Sequence, residues 1–217
     1  ANIPLNITNP DADVYQPSYD PMNVKQGESK SEDPSYPEST PQGSAVTINP
    51  GSKAPEGTKY KIVGDNTPFA TVDPNTGWLT IAPTTETPTG LTTIPVVVTY
   101  PDTTKDTVHV PVYVGNATHT GKIIPDPTDP TKTGALEVVT APSAFDKAHE
   151  TTDNSMNLTA GQAVSAINQY TVGEDGKVTS TPVDKTSAII TWKGDAPTTV
   201  VTTPSASEDL TGTVSVK

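Results

Sequence analysis

Residues 94–114 read IPVVVTYPDTTKDTVHVPVYV, two apolar-alternating runs joined by a polar turn. Val108, Val110, Val112 and Val114 fall on one face of the second run, with Thr107, His109 and Tyr113 on the other. A period of two marks a half-buried strand, and two such runs around a turn predict a hairpin.

Upstream, short strand candidates fall at 45–48, 59–63, 69–72 and 78–81. Asp73–Gly77, DPNTG, sits between the last two as a tight turn, in which Pro74 presets φ and Gly77 tolerates a positive φ. Before them lies an acidic, Pro-rich segment, Gly27–Gly43, expected to follow the surface with little regular structure. Many short strands with closely spaced turns predict a β-sandwich. Downstream, Gly115–Thr133 carries PDPTDPTKTG and predicts a stiff, extended linker. A second unit follows, with strand candidates at 169–172, 188–192, 199–202 and 211–216. Near 158–167 the pattern is compatible with a short helical turn, with Asn157 or Thr159 as N-cap. Trp192 is the expected core anchor of this unit.

The expected fold is thus all-β: two Ig-like β-sandwich domains in tandem joined by a Pro-rich linker. The expected boundaries are an N-terminal extension at 1–10, a first sandwich at 11–114, a linker at 115–133 and a second β domain at 134–217. Composition agrees with thin, sheet-built cores, since only 32% of the 217 residues are hydrophobic and 5% aromatic.

Charge narrows the partners. The formal net charge is −12 and there is no arginine, so the bidentate grip on phosphates and guanine edges is missing. Nucleic acid and anionic membranes are poor partners on those grounds. Cysteine is absent, which removes disulfide stapling. No apolar run approaches the length of a transmembrane helix, and Ala1 onward has no signal-peptide pattern.

Site chemistry is sparse. His109, His119 and His149 have no metal-ligand spacing among them, and no nucleophile elbow or phosphate loop is present. The expectation is a protein that is not an enzyme and takes no cofactor. Asp11, Asp13 and Asp20, with Asp33, are candidate oxygen ligands for calcium, as are Asp126 and Asp129, although solvated acidic loops are the commoner outcome. Tyr15, Tyr19 and Tyr36 are the aromatic residues expected to be most available for ligand contact, whereas Tyr60, Tyr100 and Tyr113 are expected to pack against the sheets. Lys61 is the one lysine considered for a Lys–Asn isopeptide crosslink, and a solvent-facing lysine is the preferred reading.

The first unit resembles the long variant of the Rib domain of Rib/alpha-like surface proteins from Gram-positive bacteria. The resemblance rests on Asp11-Ala12-Asp13 with Tyr15 and Tyr19, on Gly57-Thr58-Lys59-Tyr60, on Asp73–Ile81 and on the hairpin Val96–Val114. Where the family has YPDGS, this chain has Tyr100-Pro101-Asp102-Thr103-Thr104, and loss of the glycine predicts a different turn type. The second unit resembles a shorter Rib-like repeat, lacking a final strand, through GQAVSAI, TWKGDAP and LTGTVSVK. An open strand edge there predicts weak self-association.

The resemblance implies an extracellular location at the bacterial cell wall, with an export signal and anchor outside these residues, and neighbouring repeats of the same protein as partners. The leading expectation is a stalk or spacer that projects another region from the wall. The alternative is an adhesin module that binds host mucin, matrix protein or glycan.

Overall fold

The computed structural model describes residues 9–36, 53–64, 67–126, 132–141, 159–194 and 212–216. The expected strands at 45–48 and 199–202, and His149, lie outside these residues.

The quoted hairpin is the spine of the first unit. Strand β6 (Gly90–Thr99) pairs antiparallel with β7 (Lys105–Gly115), from Gly90 opposite Val114 to Thr99 opposite Lys105. Two prolines sit inside these strands, and the register explains why neither breaks the ladder. Val63 donates its amide to the Pro95 carbonyl, so Pro95 turns its backbone polar groups away from β7. Pro95 faces His109 and Pro111 faces Thr93, two pairs of the same parity. Both prolines therefore occupy non-hydrogen-bonded pairs, where no β6–β7 rung needs their missing N–H.

Strand β3 (Lys59–Ile62) pairs antiparallel with β6, and β1 (Met22–Lys25) pairs parallel with β7, which gives a sheet of order β1-β7-β6-β3. A second sheet, β2-β5-β4, is made of Lys30–Glu32, Leu79–Ile81 and Ala70–Val72. The inward faces meet in one core, in which Met22, Val24, Leu79, Ile81, Ile94, Val96, Val98, Val110, Val112 and Val114 are buried. Each such side chain contributes about 1.5–3 kcal/mol when fully buried. A single helical turn, α1 (Asp11–Val14), precedes β1.

Three expectations change. The Pro-rich segment after Gly27 contributes strand β2 and the buried Tyr36, because Lys30, Ser31 and Glu32 find rungs on β5. Residues 115–133 do not run on as an extended linker: Asn116 reverses the chain, its Oδ1 accepting from the amides of Thr118 and His119 at 2.8 and 2.7 Å. Strand β8 (His119–Pro125) then pairs with β9 (Thr133–Thr140), so Pro125 closes a strand opposite Thr133 instead of belonging to an extended linker. The expected helical turn near 158–167 is confined to one hydrogen-bonded turn. Thr159 and Gln162 cap each other, the amide of Thr159 donating to Gln162 Oε1 at 2.8 Å and the amide of Gln162 to Thr159 Oγ1 at 3.3 Å. From Val164 the chain pairs with β9, and the ladder prevails over helix propagation.

The second β-rich region is a four-stranded antiparallel sheet of order β11-β10-β9-β8, with β10 spanning Val164–Val172 and β11 Val178–Pro182. A separate pair, β12 (Ala188–Trp192) and β13 (Gly212–Val216), follows. Trp192 is half-buried at the end of β12 rather than central to a core. The protein is essentially all-β, in two β-rich regions.

Candidate functional site

The DPNTG turn is built from its first residue. Asp73 Oδ1 accepts from the amides of Asn75 and Thr76, both at 2.8 Å, and these bonds, Thr76 first, hold its carboxyl below the usual range. Gly77 adopts φ +77°, and a Cβ there would meet Pro34 and the Tyr60 ring at 2.7 Å, so backbone and space both demand glycine. The turn docks on β3, with Tyr60 donating its amide to the Pro74 carbonyl and Lys59 Nζ to Asn75 Oδ1 at 2.6 Å. Trp78 leaves the turn with its side chain outward and is 49% exposed, beside a buried Leu79. The Trp78 amide donates to Thr76 Oγ1 at 3.3 Å, and its indole is the one large exposed aromatic surface among the described residues.

The tyrosines expected to be free are spent on the core. Tyr19 is 6% exposed and donates to the Gly77 carbonyl at 2.6 Å; Tyr36 is 3% exposed and shares a 2.5 Å hydrogen bond with Tyr60. Tyr15 is half-buried, stacked on Tyr100 with ring centroids 5.7 Å apart and edge-on to Tyr36. Burial, above all, raises the phenols of Tyr19 and Tyr36 far above the ordinary tyrosine value. Their segment reads as polar and extended, so nothing local signalled the burial. Tyr60, Tyr100 and Tyr113 are buried, as packing residues should be.

The acidic candidates do not converge. Asp11 and Asp13 lie on the single turn α1, and Asp20 and Asp33 are exposed. Among the described residues no three acidic or histidine side chains come together as a metal site. The α1 turn is instead held by the β6–β7 loop: Asp102 Oδ2 accepts from the Asp11 amide at 2.7 Å and Thr104 Oγ1 from the Ala12 amide at 3.0 Å. The same loop corrects the expected change of turn type. Thr103 keeps the positive φ, 73°, that a glycine would take, because Asp102 Oδ1 also fixes the Thr104 amide at 2.9 Å. Asp129 lies outside the described residues, and Asp126 donates its amide to the Lys132 carbonyl across the β8–β9 hairpin.

His119 shares a 3.0 Å hydrogen bond with Thr118 Oγ1, and His109, expected on an open sheet face, lies against Gly176 of the second region. Lys61 is exposed on β3, and the contact of its neighbour Lys59 with Asn75 is solvent-exposed. The outer strands of the second sheet carry Lys122 and Pro125 on β8 and Pro182 on β11, residues that discourage edge-to-edge pairing. No helix of the described residues is long and apolar enough to cross a membrane.

With this geometry in place, comparison with known families assigns the first unit. A Long Rib domain occupies residues 12–115, which takes in α1 from its second residue, both sheets of the sandwich and the Trp78 turn. No curated protein matches the sequence. Among solved structures the chain is similar to the human desmocollin-1 ectodomain, at 12% identity and TM-score 0.31 over 88% of this chain and 38% of that one. It is also similar to protocadherin gamma B7 extracellular cadherin domains 1–4, at 13% identity and TM-score 0.30 over 83% and 37%. A third is a SusE-like surface located polysaccharide binding protein from Bacteroides thetaiotaomicron, at 11% identity and TM-score 0.32 over 78% and 33%. The chain spans roughly a third of the length of these proteins, 33–38%. These are loose likenesses, and the fold rests on the ladders described above.

Proposed function

We propose that this chain is a non-catalytic module of a bacterial cell-surface protein that works by contact with an extracellular partner, a glycan or a protein. The observation that carries the reading is Trp78. A large indole held outward by the hydrogen-bonded Asp73–Gly77 turn offers a stacking face to a ligand. The Long Rib domain at 12–115 supports an extracellular setting in a Gram-positive organism. On this reading the β-rich region after it is a shorter repeat of the same kind.

The test is binding of residues 1–217 to immobilised mucin, matrix proteins and a glycan array, beside an established adhesin. Saturable binding that is competed by soluble ligand and lost in Trp78→Ala supports the reading. Binding that survives the substitution moves the site elsewhere, and no binding while the control binds removes the adhesive role.

A second reading, the stalk or spacer, is favoured by the contact between the two β-rich regions. Tyr113 of the first donates to the buried Glu137 of the second at 2.6 Å. A projecting segment needs such stiffness, and an elongated monomer without a saturable ligand is its signature in scattering and binding measurements.

A further inference from the structure

Glu137 lies on β9 and is 2% exposed. A buried carboxyl group is costly unless its oxygens find donors. Its donors come from both β-rich regions. Tyr113, on β7, donates to Oε2 at 2.6 Å, while Asn168 Nδ2 and the Tyr170 hydroxyl, on β10, donate to Oε1 at 3.0 and 3.2 Å.

The two tyrosines cross the boundary in opposite directions, and each meets a glycine. The Tyr113 ring covers Gly121 of β8 so closely that a Cβ there would fall within the ring. Tyr170 reaches back to Gly90 at the start of β6, where a Cβ would sit 3.0 Å from its hydroxyl. Further along, His109 lies on Gly176, and Thr93 Oγ1 donates to the Gly176 carbonyl at 2.9 Å. Leu91 and Tyr113 of the first region form one apolar cluster with Ile123, Ala135 and Val172 of the second. That cluster is incomplete without the Rib domain.

We propose that Glu137 is an angle-fixing lock, its carboxyl group shared by Tyr113 and Tyr170 so that the Rib domain and the β8–β11 sheet form one rigid, cooperatively folding body. Rotation of one region against the other separates Tyr113 from Glu137. It also strips a donor from a buried acid and lifts both tyrosines off their glycines in the same movement. Losses that must occur together oppose small bends as well as large ones. Domains in one chain ordinarily move against each other unless their contact is apolar and well packed, and this contact supplies both an apolar cluster and a shared buried acid. The lock is independent of whether the module binds a ligand or only projects one.

The absence of cysteine makes labelling direct. Spin labels placed through Glu56→Cys and Thr181→Cys, both exposed positions on opposite sides of the contact, report the distance between the regions by pulsed dipolar spectroscopy. Hydrogen exchange on the unlabelled full chain reports β6–β7 and β9–β10 separately. The expected result is a narrow distance distribution and matched protection of the two strand pairs. Glu137→Ala should at least double the width of the distribution and speed β9–β10 exchange about tenfold or more while β6–β7 stays protected. Tyr113→Phe keeps the ring on Gly121 and removes only the hydroxyl; it should produce the same changes in smaller measure, and it decides the matter if Glu137→Ala does not fold. A broad distribution in the unsubstituted chain, or a narrow one with matched protection in the variants, overturns the proposal.

Discussion

The ring of Tyr113 lies directly on Gly121, so that strands β7 and β8 touch through an aromatic face and a bare backbone. The contact buries the side of β7 that the alternation pattern leaves polar. Gly121→Ala should therefore destabilise the chain by about 1–3 kcal/mol, the range for inserting a methyl group into a packed contact. A lower urea midpoint at unchanged m-value is the expected sign, and an unaltered midpoint would show the ring moving aside at no cost.

Tyr36 and Tyr60 share one hydrogen bond, 2.5 Å long and buried, between positions 24 residues apart. Tyr36→Phe leaves the Tyr60 hydroxyl without that partner and should cost roughly 1–3 kcal/mol, more than the bond itself is worth. Equilibrium unfolding of the two proteins measures it.

Thr103 holds φ 73°, a conformation in which a β-branched side chain is strained. Thr103→Gly should raise stability by roughly 0.5–1 kcal/mol, the relief of left-handed strain less the added freedom of the unfolded chain. Thr103→Val, equally branched, should bring no gain. Thermal melts of the pair against the parent separate relief of strain from loss of the hydroxyl.

Asp102 accepts from the Asp11 amide and from Thr104, and these bonds, the Asp11 amide first, hold its carboxyl below the usual range. A carboxyl depressed in the folded state stabilises the fold above its unfolded value, near pH 3.9, and that share is lost as pH falls through the folded value. Asp106 works in the opposite sense, because burial raises its carboxyl. The difference between parent and Asp102→Asn isolates the loop. The melting temperature of the parent should exceed the variant's at pH 6 and approach it between about pH 4 and pH 2. A constant difference across that window would place the stabilisation elsewhere.

Trp78 is outward and half-exposed, so Trp78→Ala should change stability by no more than about 0.5 kcal/mol. A melting curve that overlays the parent's is the control that makes any loss of ligand binding interpretable. A large fall in stability would assign the indole to packing.

Local chemistry was legible wherever neighbours in sequence decide the outcome. Alternation marked the faces of β7, and Val110, Val112 and Val114 are buried together. The DPNTG turn followed from Pro74 and Gly77, since an Asx bond and a positive φ are set within five residues. The helical pattern near 158–167 misled, because Thr159 and Gln162 close a single turn and Val164 then finds rungs on β9 more than 20 residues back in the chain.

The same limit governs the candidate sites. Tyr15, Tyr19 and Tyr36 read as contact residues in a polar segment. The acceptor for Tyr19 is the carbonyl of Gly77, 58 residues away, and the partner of Tyr36 is Tyr60. The stretch expected as a linker became a hairpin because Asn116 turns the chain back as soon as β7 ends.

By itself, then, the sequence determined the two strands of the hairpin and the DPNTG turn, because periodicity and turn chemistry act over a few residues. Only the tertiary structure decided which second face of β7 is covered, where the tyrosine hydroxyls go and that Glu137 is buried. Those outcomes depend on donors and surfaces brought together from distant parts of the chain, and a buried acid is tolerable only once Tyr113, Asn168 and Tyr170 have all arrived around it.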